Sequence, residues 1–279
     1  MTHGVLTTRE ELREALDDVQ PGFVPTMGAL HDGHLSLIAR SASENEETVV
    51  SIFVNPLQFG DKADLDQYPR TLERDLAMAR DAGATLFFAP SADSMYPPGF
   101  ETSVEVGRLA HRWEGTSRPG HLRGVATVVT ILLNLVRPAR AYFGEKDYQQ
   151  LQVIRRLHLD LALPGMIVGC PTVRDGDGLA LSSRNARLSP EDRRRSETIP
   201  RAMEAVAMAL RGGERNVDRL EAMGREQLAG RGVMIDYFAI VDGRTLEPLQ
   251  SLTGEARLIL AVEIGGIRLI DNTPVTMNS

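Results

Sequence analysis

The segment Thr48–Val54, TVVSIFV, constrains the fold more than any other, because apolar and β-branched residues fill both alternating faces of the run. A strand of that kind has to be covered on both sides, as strands in parallel sheets are. Comparable short runs stand before and after it: GFVPTMG from Gly22 to Gly28, TLFFA from Thr85 to Ala89, and AYFG from Ala141 to Gly144. Between and after them the pattern turns helical, over His34–Ser43, Arg70–Ala82, Leu122–Val136 (stopped by Pro138) and Asp147–Leu161. Thr8 followed by Glu11 forms a capping box that opens an earlier helix running to about Asp18. This alternation predicts an α/β fold of parallel βαβ units with right-handed crossovers.

After about Thr172 the rhythm changes. Ser189 with Pro190 starts a helix expected to reach Arg211, and a second helix covers Asn216–Ala229. Three strand-like runs follow, MIDYFAIVD, ARLILAVEIGG and IRLIDN. Helices followed by strands predict a smaller α+β domain. The 279 residues therefore divide into 1–172 and 173–279, which suits a chain at roughly 150 residues per domain.

The charge excludes some partners. Against 31 Lys plus Arg stand 38 Asp plus Glu, a net charge of −7, whereas a general nucleic-acid binder carries a strongly basic face. Aromatic residues at 5% leave little for base stacking. The single cysteine, Cys170, excludes an intrachain disulfide and fits a reducing compartment. The start of the chain, MTHGVLTTREEL, has neither the basic nor the apolar region of a signal peptide. The longest apolar stretch, Val125–Val136, is interrupted by threonine and asparagine and falls short of a membrane span. The expectation is a cytoplasmic protein with neither nucleic acid nor membrane as partner.

The chemistry is concentrated in PTMGALHDGHLSLI, Pro25–Ile38. A strand ends at Gly28, a turn carries His31, and a helix begins around Gly33 or His34. Such a loop lies beyond the carboxyl end of a parallel strand, where open α/β sheets bind ligands. The helix start offers N–H groups and positive dipole density to an anion. Gly33 lets a flat group such as a purine approach the backbone. His31 and His34 can turn the same way and donate hydrogen bonds to phosphate oxygens. Two histidines at this spacing are also half of a zinc site, but no cysteine lies nearby and the other histidines are scattered.

HDGH resembles the HxGH element of the nucleotidyltransferase superfamily, which includes class I aminoacyl-tRNA synthetases. PTMGALHDGH, followed in order by FVNPLQFG, YPRTLERD, GHLRGVATVV, FGEKDYQQL and LSSRN, closely resembles the pantothenate synthetase family from Pro25 to Asn185. That resemblance implies a Rossmann-like nucleotidyltransferase domain binding ATP and pantoate, a smaller C-terminal domain carrying a phosphate loop, and a homodimer. It implies ATP, pantoate and β-alanine as substrates, with Mg2+ held through the nucleotide phosphates and no residue assigned as a metal ligand in its own right. Pantoate is first adenylated with release of pyrophosphate, and β-alanine then displaces AMP to give pantothenate. Met27, Gly28, Ala29, Leu30, His31, Asp32, Gly33 and His34 would line the ATP site. His34 is described in the family as the catalytic acid; stabilising charge that develops on the phosphates is an equally sound description.

The later blocks fit the same chemistry. Asn55 and Gln58 are neutral amides that can orient a hydroxy acid without neutralising the carboxylate that must attack. The resemblance places Gln58 against pantoate and β-alanine and Gln150 against pantoate, while Gln149 points elsewhere on its helix. Tyr68 shapes the entrance or belongs to a surface turn. Gly144, Glu145, Lys146 and Asp147 would contact ATP. Only Lys62 and Lys146 are lysines among the 31 basic residues, and a compact ammonium suits a phosphate. Asp147 caps the next helix, binds ribose or helps hold magnesium. Ser182, Ser183 and Arg184 correspond to the mobile KMSKS stretch of synthetases, with glycines before them that permit movement. Val173 would give backbone contacts to adenine. Leu181 and Leu57 stand where the family often has methionine.

His31, His34, Lys146 and Arg184 form the catalytic set expected from the resemblance. Arg118 or Arg123 serves an anionic substrate or makes local ion pairs. Val125 and Val129 belong to the core or meet pantoate's gem-dimethyl group. Arg193–Arg195 read as a solvated helix face. A related nucleotidyltransferase and a non-catalytic nucleotide-binding module are the alternative functions, separated by the nucleotide product and by pantoate-dependent pyrophosphate exchange.

Overall fold

Six parallel strands form the sheet built by the chain up to Cys170 in a computed structural model that describes residues 4–230, 232–252 and 254–275. They are β1 (Val5–Leu6), β2 (Gly22–Thr26), β3 (Thr48–Ile52), β4 (Leu86–Phe88), β5 (Arg140–Gly144) and β6 (Met166–Cys170). The spatial order is β1-β4-β3-β2-β5-β6, as expected of an open α/β sheet with helical crossovers. Residues 1–3, on which the reading of the N-terminus partly rests, lie outside the described residues.

The order contains a reversal point at β2. From β2 the chain proceeds to β3 on one side and returns to β5 on the other. The crevice at such a reversal is the usual binding position in these sheets. The ladders agree: β2 and β3 pair over five residues, whereas β2 and β5 pair only at Gly22 with Arg140 and Phe23 with Ala141. Beyond Phe23 and Ala141, β2 and β5 thus no longer pair with each other on the way to Met27 and Gly144.

Helix His121–Val136 forms despite its β-branched residues because its faces are buried among Phe23, Val49, Leu86 and Phe143. Tertiary burial of this kind outweighs the small propensity cost of valine and threonine. Thr127 and Thr130 donate their hydroxyls to the carbonyls of Arg123 and Ala126, which keeps them satisfied in an apolar setting. Arg137 ends the helix in a left-handed conformation just before Pro138. Val125 and Val129 are core residues.

Several boundaries differ from the sequence expectation. The Thr8–Glu11 capping box is present, but its helix ends at Ala15, and Asp18 then adopts a φ of 62° that no helix accommodates. The helix expected from Ser189 to Arg211 is two helices, Pro190–Ser196 and Thr198–Arg211. Pro200 explains the break, since it has no N–H to offer the Ser196 carbonyl. Helix Asp32–Glu44 starts earlier than Gly33, because His31 is its N-cap.

The chain from Thr172 onward, together with Lys146–Tyr148, forms a second compact unit. Its sheet is antiparallel, with β7 (Val233–Asp242), β8 (Ala256–Ile264) and β9 (Ile267–Val275) in that order. Helices Thr198–Arg211 and Val217–Leu228 share its core, where Ile199, Val206 and Leu220 pack with Phe238, Leu258 and Leu260. Among the described residues, no helix is long and apolar enough to cross a membrane.

Candidate active site

The turn after β2 is assembled by hydrogen bonds from three directions. Thr26 donates its hydroxyl to the Ser51 carbonyl and accepts the Gly28 N–H, which ties the end of β2 to β3. Gly28 then takes a φ of 80°, where a Cβ would sit 3.0 Å from Asp75 Oδ2, so glycine is required for both conformation and space. Ala29 follows at φ 50°. The Asp75 carboxylate accepts the N–H groups of Ala29 and Leu30, each at 2.9 Å, and the Thr71 hydroxyl at 3.0 Å. Asp75 is 1% exposed, and these donors compensate its burial.

His31 closes the turn as a cap. Its Nδ1 accepts the Gly33 N–H at 3.2 Å, while its carbonyl accepts from His34 and Leu35. A ring that accepts at Nδ1 carries its neutral-state proton on Nε2, so the cap fixes the tautomer. The His31 and His34 rings lie 4.1 Å apart between centroids, tilted by 41°. The sequence expectation that the two turn the same way is met at the first turn of a helix, whose dipole favours an anion.

A second group of polar side chains lies beyond β3. Asn55 caps the short turn Pro56–Gln58 by accepting the Leu57 N–H at 3.2 Å. Its Nδ2 donates to the Gly124 carbonyl at 3.1 Å and to Gln58 Oε1 at 3.0 Å. Gln58 in turn donates from Nε2 to the Met27 sulfur at 2.8 Å, so the FVNPLQFG block meets the residue that opens the β2 turn. Gly124 permits this contact, since a Cβ there would lie 2.2 Å from the Leu57 carbonyl oxygen. Tyr96, which sequence reading passed over in a proline-rich turn, donates its hydroxyl to Asn55 Oδ1 at 2.7 Å. Burial pushes its phenol well above the usual tyrosine range, so it remains a donor.

The other candidates of this unit separate by role. Gln149 is buried, accepts from the Glu114 N–H and donates to the carbonyls of Leu109 and Arg112, which spends its amide on loop structure. Gln150, one position on, is partly exposed. A Cβ built at Gly144 would meet nothing within 4 Å. Arg118 lies 2.9 Å from His121 Nε2 and 4.0 Å from Glu114, a local pairing, and Arg123 is exposed. Tyr68 packs edge-on against Phe59.

In the second unit, Lys146 is partly buried with its Nζ 3.9 Å from Asp147, and its carbonyl accepts Asn272 Nδ2 at 2.8 Å. Asn272 also accepts from Arg257, which stacks over the Tyr148 ring at 3.7 Å. The Leu181 N–H donates to the Val173 carbonyl. Ser182 caps the turn Ser183–Arg187 through the Arg184 N–H, and Arg184 Nη1 reaches the Arg268 carbonyl at 3.4 Å. The glycine-containing segment before it is anchored: Arg174 makes a bidentate pair with buried Asp271, and Arg193 pairs with Asp175 and Asp177. Arg193 therefore departs from the expected solvated face, because it holds this turn.

The sequence matches the family described as pantoate-beta-alanine ligase over residues 4–274. The chain belongs to that family. It is 56% identical over 254 residues to a pantothenate synthetase of Rhizorhabdus wittichii, covering 91% of this chain and 90% of that protein. A crystal structure of pantothenate synthetase from Thermus thermophilus superposes with a TM-score of 0.94 at 51% identity, covering 97% of this chain and 99% of that one. A pantoate-beta-alanine ligase from Francisella tularensis, solved with an ATP species and β-alanine, gives 0.80 at 34% identity over 97% and 98% of the two chains. The α/β fold with its small antiparallel sheet is thus that of the pantoate–β-alanine ligases.

Proposed function

We propose that the chain condenses pantoate with β-alanine to pantothenate, with ATP cleaved to AMP and pyrophosphate. The observation that carries this reading is the His31-capped helix start at the sheet's reversal point, with the Gln58 amide hydrogen-bonded to the Met27 that opens the same turn. A phosphate site and a neutral amide for a hydroxy acid converge there.

In the first step a pantoate carboxylate oxygen attacks the α-phosphorus and the bond to the bridging oxygen of pyrophosphate breaks. His31 donates from Nε2, and His34 with the helix N-terminus stabilises the charge that grows on the phosphates. Met27 to His34 and Gly144 with Glu145 bind the nucleotide from the first unit, and Gln58 and Gln150 bind pantoate. In the second unit Lys146, Asp147, Val173, Leu181, Ser182, Ser183 and Arg184 are assigned to ATP by the family pattern, Lys146 and Arg184 as cations for the phosphates. In the second step the β-alanine nitrogen attacks the acyl carbon, loses a proton and displaces AMP, with Gln58 again in contact.

Among the described residues, no group of three or more His, Cys, Asp or Glu could hold a metal ion. The family reading assigns magnesium to the nucleotide phosphates, where it keeps waters and binds through substrate oxygens. When bound, it would neutralise phosphate charge. The first unit is proposed as the ATP- and pantoate-binding domain, and a homodimer in the cytoplasm follows the same family reading.

ATP–pyrophosphate exchange over a panel of hydroxy acids tests the assignment. Exchange should require pantoate, and later addition of β-alanine should yield pantothenate and AMP in equal amounts. Exchange with no acid preference, or a nucleotide conjugate in place of AMP, would overturn it.

A further inference from the structure

The two amides beyond β3 have a polarity that the backbone dictates. Asn55 sits between the Leu57 N–H, a fixed donor, and the Gly124 carbonyl, a fixed acceptor. Turning its amide over would set NH2 against N–H and oxygen against oxygen, so Oδ1 must face Leu57 and Nδ2 must face Gly124. The second hydrogen of Nδ2 then goes to Gln58 Oε1, which leaves Gln58 with its Nε2 hydrogens as the outward group, one of them on the Met27 sulfur. Tyr96 adds a second donor to Asn55 Oδ1 at 2.7 Å, shorter than the Leu57 contact at 3.2 Å. Asn55 is 1% exposed and Gln58 7% exposed, so water competes little with these bonds.

We propose that Tyr96 is a positioning residue for substrate recognition: through Asn55 it holds the Gln58 amide in the orientation that the backbone sets, so that Gln58 presents Nε2 to substrate as a hydrogen-bond donor. The proposal rests on the reading that Gln58 contacts pantoate and β-alanine. It sets a specificity rule. The substrate atom at Gln58 must be an acceptor, a carboxylate or hydroxyl oxygen. β-Alanine is met there through its carboxylate, because its ammonium is itself a donor. An acid amide that offers NH2 at this position is rejected, since two donors would face each other in a buried setting.

The test is steady-state pyrophosphate exchange with Tyr96→Phe, Gln58→Ala and the parent enzyme. Tyr96→Phe should raise the KM for pantoate about tenfold, the order expected when a bond to a charged group is weakened, and leave the KM for ATP within about twofold. A purely structural tyrosine would lower thermal stability and the amount of active enzyme without moving the pantoate KM. That result, with Gln58→Ala raising the same KM, overturns the proposal and leaves the Gln58 contact standing. If Gln58→Ala leaves the pantoate KM unchanged, the contact itself is wrong and the proposal falls with it. A measurement on the unaltered enzyme covers a Tyr96→Phe variant that does not fold. The Gln58 side-chain N–H resonances, identified by their loss in Gln58→Glu, should shift when pantoate is added with a non-transferable ATP analogue. Resonances that stay in place at saturating pantoate overturn the donor orientation.

Discussion

The carboxylate of Asp75 accepts the backbone N–H of Leu30 at 2.9 Å across 45 residues of sequence. The contact joins the YPRTLERD block to the turn that precedes the histidines. With the parallel bond to Ala29, it holds two residues that follow the left-handed Gly28 and include the left-handed Ala29. A non-glycine residue costs roughly 1–2 kcal/mol in that conformation. The Asp75 bonds offset that cost, and the position of His31 depends on them.

Asp75→Asn should therefore do more than remove a charge. Oδ1 and Oδ2 both accept backbone N–H groups, so an amide turned either way sets its NH2 against one of them. A buried donor left unmatched costs about 1–3 kcal/mol. The expected outcome is a loss of stability of that order in denaturant unfolding, with pyrophosphate exchange reduced beyond what the folded fraction accounts for. Full activity at reduced stability would show that the turn does not depend on Asp75 for its catalytic geometry.

The two histidines should separate by substitution. His34→Ala removes one preorganised donor and should lower turnover about 10²–10³-fold with folding intact. His31 has a cap to keep as well, and asparagine is a good N-cap. His31→Asn should hold the melting temperature near that of the parent and still lose exchange, whereas His31→Ala should lose exchange and about 1 kcal/mol of helix stability besides. Equal stability for Asn and Ala at this position would contradict the cap.

What was legible in the sequence followed local rules. The Thr8–Glu11 box, the buried run of β3 and the glycine-terminated β2 each depend on neighbours a few residues away, and each formed. The helix break at Glu197 was legible too, in Pro200, but the long amphipathic pattern obscured it. β6 is apolar in sequence, MIVGC, yet it carries Gly169 inside a five-residue run and lies partly exposed at the sheet edge, so nothing but that short run marks it. The candidate site was legible where motifs were dense. Tyr96 and Asp75 act on residues 41 and 46 positions away, and no local pattern encodes that. One signal did exist for Asp75: it lies four residues before Ala79 on the buried face of its helix, where an acid needs partners.

Lys146 tests the second unit. If it binds phosphate, Lys146→Ala should cut pyrophosphate exchange by about 10²–10³-fold, the range for losing a charge-stabilising donor. Aminolysis of pantoyl adenylate supplied from outside should proceed nearly as before. A defect confined to aminolysis would place the lysine at the other half-reaction. Asn272→Ala should give a milder version of the same defect, because it frees the Lys146 carbonyl held at 2.8 Å without removing the ammonium.

The turn before the Ser182–Arg184 segment should respond to acid. Hydrogen bonding from Arg193 holds the Asp177 carboxyl below the usual range, against a smaller opposing effect of burial. A carboxyl depressed in the folded state contributes stability that is fully present above its unfolded value of about 3.9 and is lost as pH falls through the lower folded value. Melting temperature should therefore drop as pH is lowered below about 4, and Arg193→Gln should flatten that part of the profile while leaving neutral pH less affected. Water screens this partly exposed pair, so its share is roughly 0.2–1 kcal/mol. The functional readout is sharper than the stability one. At neutral pH, loosening Asp175 and Asp177 from Arg193 should raise the KM for ATP, because the backbone they hold leads directly into Ser182–Arg184. An unchanged ATP KM in Arg193→Gln would mean that the anchored turn does not position the phosphate segment.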